Sequence, residues 1–203
     1  MAEQQTRIKN SIQYRVFSGL EMNESENKLT LRGTPIVFDK KTVLWEYDGI
    51  KFYEVIDRNA LIGADMNDFV FNYNHGGRVY ARTRNGTITY QITERGLDCE
   101  ITLDGGDEGH RQLYRDVKNK LIDKMSFSFR ISEEKYNKTT RTFTVTGIER
   151  LYDVSAVDFA AYDDTYIAAR KRDTTTSWFE LEYNREKAEL EAQRRKLILK
   201  TYL

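Results

Sequence analysis

Apolar residues at every second position, repeated in separate stretches, constrain this chain most. Ile88, Tyr90 and Ile92 alternate with other residues; so do Leu97, Cys99, Ile101 and Leu103, and again Met125, Phe127, Phe129 and Ile131. A period of two places such residues on one face of a strand, with their neighbours on the other. Between the first two stretches, Glu94-Arg95-Gly96 supplies a turn with a glycine suited to positive φ, so 88–103 reads as a hairpin. Leu29–Phe38, Ile50–Ile56, Thr142–Ile148 and Leu151–Phe159 read as further strands.

Helical signals are fewer. Asp57-Arg58-Asn59-Ala60-Leu61 looks like a short capped helix, and Asp107 caps a longer one to about Lys120, with Leu113, Val117 and Leu121 on one side. Lys171–Ser177 reads as a polar linker, and Trp178 to Lys200 as a long helix, acidic in its first half and basic in its second. The expected fold class is mixed α+β, mainly antiparallel β. Its expected organisation is an N-terminal polar segment (1–28), one domain (29–170), the linker (171–177) and the C-terminal helix (178–203). That helix has a sparse apolar stripe and reads as a docking tail or as a helix packed on the parent domain or a second copy.

Bulk properties exclude several classes. Among 203 residues, Lys+Arg and Asp+Glu are both 32, so no basic excess exists to displace counterions from nucleic acid. No apolar run approaches the roughly 20 residues that span a bilayer. The N-terminus lacks a signal-peptide stretch, and the single cysteine, Cys99, cannot form an internal disulfide. A cytoplasmic protein follows as the expectation. Two histidines and one cysteine offer no close metal-ligand spacing, the paired glycines at 76–77 and 105–106 are turns rather than a phosphate cradle, and Gly-x-Ser-x-Gly is missing, so no cofactor is expected.

Three strand-like segments each carry one polar, reactive residue among apolar ones. His75 ends Phe71-Asn72-Tyr73-Asn74, Ser126 lies in Met125-Ser126-Phe127-Ser128-Phe129, and Asp153 lies in Leu151-Tyr152-Asp153-Val154-Ser155. A histidine, a serine and a carboxylate are the parts of a nucleophilic hydrolase if the fold brings them together. The plainer readings are a serine on a solvated strand face, a surface-turn histidine and an edge-strand aspartate in a salt bridge. His110, in a polar helical segment, reads as solvated.

The order and context of these segments resemble the prohead (procapsid) maturation proteases of tailed bacteriophages. The resemblance rests on Gly33-Thr34-Pro35-Ile36-Val37-Phe38, Phe52–Ile56, Asn74-His75, Ala81-Arg82-Thr83, Arg95-Gly96-Leu97, Met125–Phe129 and Leu151–Val157, closing on Ala161-Tyr162, and covers roughly residues 28–168. It implies a serine endopeptidase with a herpesvirus assemblin-like β-barrel core, surrounding helices, and an open groove for an extended peptide. Ser126 would be the nucleophile, His75 the general base and Asp153 the third member. The related viral proteases use a second histidine there, which would cast His110. The implied substrates are the major capsid protein and its scaffold segment, cut inside the immature capsid in the host cytoplasm, with self-cleavage as a further activity. The portal or procapsid shell and a second copy of the chain are further partners on this reading. The alternative is a non-catalytic β-rich protein that assembles capsids or binds scaffold.

Overall fold

The computed structural model describes residues 12–18, 20–25, 28–47, 49–158 and 183–192. The strands are β1 (Ile12–Ser18), β2 (Leu20–Ser25), β3 (Lys28–Val37), β4 (Thr42–Tyr47), β5 (Ile50–Ile56), β6 (Val70–Tyr73), β7 (Gly76–Arg82), β8 (Ile88–Ile92), β9 (Gly96–Asp104), β10 (Lys124–Asn137) and β11 (Thr142–Val157). One helix, α1 (Glu108–Lys118), lies between β9 and β10. Residues 183–192 form a helix within a separate unit, Ala168–Leu203, and the linker at 171–177 falls outside the described residues.

Two sheets carry the domain. The larger runs β1-β10-β11-β5-β4, with the β6–β7 hairpin also joined to β11; the smaller runs β2-β3-β9-β8. Pairing is antiparallel except where β5 and β6 run parallel to β11. This is the expected mainly β, α+β class. The expected closed barrel is not formed among the described residues. The large sheet has β1 and β4 at its two ends with no backbone ladder between them, and β2, β3, β8 and β9 form a sheet of their own. A buried side-chain ion pair, Arg15 of β1 with Glu54 of β5, crosses instead.

The alternation in β10 does what a period of two requires. Met125, Phe127, Phe129 and Ile131 enter the core, joined by Leu31, Leu97, Ile101 and Leu103 from β3 and β9. Fully burying each such side chain stabilises the fold by about 1.5–3 kcal/mol. The hairpin expected over 88–103 is present as β8 and β9, but only Ile88 of the first face is buried; Tyr90 and Ile92 stay largely exposed because β8 is an edge strand.

Other local expectations change. The short helix at Asp57–Leu61 is a run of turns, because the Asp57 carboxylate caps only the Asn59 N–H before Ile148 N–H takes the Ala60 carbonyl. α1 stops at Lys118, and Lys120 adopts a left-handed φ of 58°, so Leu121 leaves the helix and is exposed. Residues 12–25, within a segment read as merely polar, form β1 and β2, and each strand joins a sheet. Their partners are distant in sequence, which local composition does not reveal.

Candidate active site

β10 and β11 run antiparallel with Ser126 opposite Ser155 and Ser128 opposite Asp153. β6 lies on the other side of β11, with Asn72 opposite Ser155. Alternation puts Ser126, Ser128, Asp153, Ser155 and Asn72 on one face, while Phe127, Val154 and Phe71 point into the core. A register shift falls where Ser128 pairs with Asp153 but Phe129 pairs with Leu151, leaving Tyr152 as the extra residue. This bulge lets Leu151 and Val154 both reach the core while Asp153 turns the other way.

His75 arrives from the tight turn between β6 and β7. Tyr73 pairs with Gly76, and the two residues between, Asn74 and His75, have φ of 50° and 57°. Positive φ at both central positions is what a two-residue hairpin turn needs to match strand twist. For a residue with a Cβ this costs about 1–2 kcal/mol. The turn is held against β11: Asn74 N–H donates to the Ala156 carbonyl at 3.0 Å, and His75 N–H to Ser155 Oγ at 3.3 Å.

The three side chains singled out from the sequence meet there. His75 Nε2 lies 2.5 Å from Ser126 Oγ, and His75 Nδ1 lies 2.6 Å from Asp153 Oδ1. With a carboxylate at Nδ1, the ring proton belongs on that nitrogen, and the Nε2 lone pair faces the serine. The Ser126 hydroxyl also has the Arg15 carbonyl oxygen as a hydrogen-bond acceptor, at 2.8 Å. Tyr14 of β1 packs edge-on against the His75 ring at a centroid distance of 4.6 Å. Burial and the Asp153 charge raise the Tyr14 pKa, keeping the phenol neutral.

Four features of the site went unassigned in the sequence. Ser128 donates to Asp153 Oδ2, and Ser155 lies 2.8 Å from Asp153 Oδ1 and also bonds Asn72. Both serines sit two residues from a singled-out residue, so strand alternation marked them. The third is Asn72, which stands in the same segment as His75. The fourth is β1: Ser126 has 0% accessible surface, with Val16 paired opposite it, the Arg15 carbonyl oxygen on its hydroxyl and Tyr14 against the neighbouring His75 ring. The serine is therefore not on a solvated face.

His110 is not part of this cluster. It is buried on α1, packs against Tyr80, and its Nδ1 accepts the Asp104 N–H at 2.9 Å. The reading of a solvated His110 is corrected, since the turn before α1 folds back onto the ring. Cys99 is buried in the core, where desolvation pushes its thiol pKa well up. Among the described residues, no group of three or more His, Cys, Asp or Glu is placed to hold a metal ion.

A serine hydrogen-bonded to an imidazole that is oriented by a carboxylate can perform acyl transfer. The family model of caudovirus prohead serine proteases matches residues 18–177, a span that holds all three residues. The chain belongs to that family. It is a serine-type endopeptidase of bacteriophage capsid maturation, acting in the procapsid during assembly in the host. No curated protein and no solved structure matches the chain. The prohead protease thus has its family fixed by sequence, and its site described by its own geometry.

Proposed function

We propose that Ser126 is the nucleophile, His75 the general base and Asp153 the group that orients the imidazole. The observation that carries this is the continuous relay from Ser126 Oγ through His75 Nε2 and Nδ1 to Asp153 Oδ1. His75 takes the hydroxyl proton as Oγ attacks the scissile carbonyl, then returns it to the leaving amine; water hydrolyses the acyl-enzyme by the same route. Ser126 and Asp153 stand on paired strands of one sheet, and His75 on a turn hydrogen-bonded to the second of them, which holds the three rigidly enough for attack.

The substrates on this reading are extended segments of the major capsid protein and its scaffold region. An extended peptide fits as a strand laid along β10, gaining backbone hydrogen bonds. β1 lies on β10 antiparallel, with Val16 opposite Ser126. Its presence there supports self-cleavage as the event that opens the groove. The C-terminal helix remains a docking tail in this proposal.

Co-expression with the major capsid protein of the same genome tests the reading. Wild type should trim the capsid protein's N-terminus, read by mass spectrometry, and Ser126→Ala should leave it full length. A capsid protein left uncut by both, with the protease inside the particles, would overturn it.

A further inference from the structure

Ser155, fully buried on β11, joins the strand of Asp153 to the turn of His75. Its Oγ lies 2.8 Å from Asp153 Oδ1 and accepts the His75 main-chain N–H at 3.3 Å. A third contact comes from outside the triad: the hydroxyl also meets the side-chain oxygen of Asn72. Asn72 is 7% exposed and lies opposite Ser155 where β6 runs parallel to β11. Its neighbour Phe71 is fully buried in the core, so strand alternation aims Asn72 at the catalytic face. On the other side of β6 the ladder to β7 is irregular: the register passes from Phe71–Ala81 to Tyr73–Gly76, skipping Asn72. The hairpin that carries His75 therefore leans on β11 at this point, through backbone pairing and through the Asn72–Ser155 bond.

A serine hydroxyl turns between staggered rotamers, and only one of them brings Ser155 Oγ to both Asp153 and the His75 N–H. Those two partners are the groups to be positioned, so they supply no independent reference. Asn72 does, because its own strand is fixed by the β11 ladder on one side and by Phe71 in the core beneath. A buried polar side chain keeps its hydrogen bonds, and bonds in a shared network act together rather than singly. We infer that Asn72 is a positioning residue of the protease. By holding Ser155 in that rotamer it sets the Asp153 carboxylate and the His75 turn in register with each other. This rests on the triad reading above and extends it by a residue that acts only through Ser155.

The test uses the full chain and two variants of similar shape. Asn72→Leu removes the acceptor, and Asn72→Asp keeps an acceptor oxygen. Proton NMR reads the His75 Nδ1–H held by Asp153 as a far-downfield resonance. Wild type and Asn72→Asp should show it, and Asn72→Leu should lose it to faster exchange. On a capsid-derived peptide, Asn72→Leu should lower kcat about 10-fold with KM little changed, and Asn72→Asp should stay within about 3-fold of wild type. Asn72→Leu combined with Ser155→Ala should be no slower than Ser155→Ala alone, because the two act in series. Should Asn72→Leu not fold, Asn72→Ala takes its place with the same expectations. A merely structural Asn72 would lower the melting temperature and leave the resonance and kcat of the folded protein unchanged. That outcome, or losses that add in the double variant, overturns the inference; either readout decides where the other is silent in wild type. If wild type shows neither the resonance nor fluorophosphonate labelling of Ser126, the triad reading falls and the inference with it. If wild type shows both and Asn72→Leu matches it, the inference alone falls.

Discussion

Ser128 on β10 lies directly across from Asp153 on β11, and its hydroxyl donates to Oδ2, the carboxylate oxygen that His75 does not use. Ser155 approaches the other oxygen, so the carboxylate is held at both ends before it meets the imidazole. A hydrogen bond to a charged acceptor is worth about 1.5–3 kcal/mol. Ser128→Ala and Ser155→Ala should each lower kcat on a capsid-derived peptide by about 10–100-fold, with KM little changed. Steady-state kinetics checks this. A rise in KM at constant kcat would place these serines in substrate binding instead.

Asp153→Asn changes the tautomer rather than the shape. An amide can present its NH2 group to Nδ1, which moves the ring proton to Nε2 and turns a donor toward Ser126. The expected loss in kcat is about 10^4-fold, comparable to that of His75→Ala. Asp153→Asn should also label slowly with a fluorophosphonate while keeping wild-type thermal stability. Normal labelling would remove Asp153 from the relay.

His110 gives the fold a pH dependence of its own. Burial lowers its pKa below the ordinary 6.5, opposed by Asp107 and Asp104 and reinforced by Arg78. Protonation would also displace the Asp104 N–H from Nδ1. The unfolded chain therefore binds this proton more readily than the folded one. Stability from this group is complete above about pH 6.5 and declines as pH falls below it. Urea midpoints at pH 7.5 and pH 5 should differ more for wild type than for His110→Gln. Asp107, whose pKa is lowered to about 2 by Arg78, titrates below that window. An equal drop in both proteins would contradict the assignment.

Gly96 opens β9 with its backbone against β3. A Cβ there would sit 1.8 Å from the Ile36 carbonyl oxygen, and Ile36 is fully buried. The strand pair must separate to admit it, so Gly96→Ala should cost about 2–3 kcal/mol in urea denaturation. Gly86→Ala meets no atom within 4 Å and has only its φ of 73° against it, so the smaller loss, about 1 kcal/mol, is expected there.

What the sequence disclosed follows the range of its signals. The period of two across Met125–Ile131 placed Ser126 and Ser128 on one face. With only two histidines, His75 at a strand end stood out against His110. These are short-range patterns, and the structure brings Ser126, His75 and Asp153 within hydrogen-bonding distance. The features that escaped are long-range. β1 meets Ser126 across 111 residues, and Arg15 meets Glu54 across 39. The bulge at Tyr152 depends on the register between two strands, and the burial of His110 on a turn six residues away folding back. An edge strand such as β1 carries no local mark of its partner, because its pairing is decided by the sheet it joins.

The parallel docking of β6 on β11 has a consequence for the order of synthesis. His75 precedes Ser126 by 51 residues and Asp153 by 78. On a ribosome, the hairpin bearing the histidine is made early but lacks the strand it must lean on until β11 has emerged. A partly made chain therefore holds the chemical groups of a protease in no working arrangement. With the proposed triad, competence to cut requires β11 as well as β6 and β10, so it is acquired only when nearly the whole domain has been made.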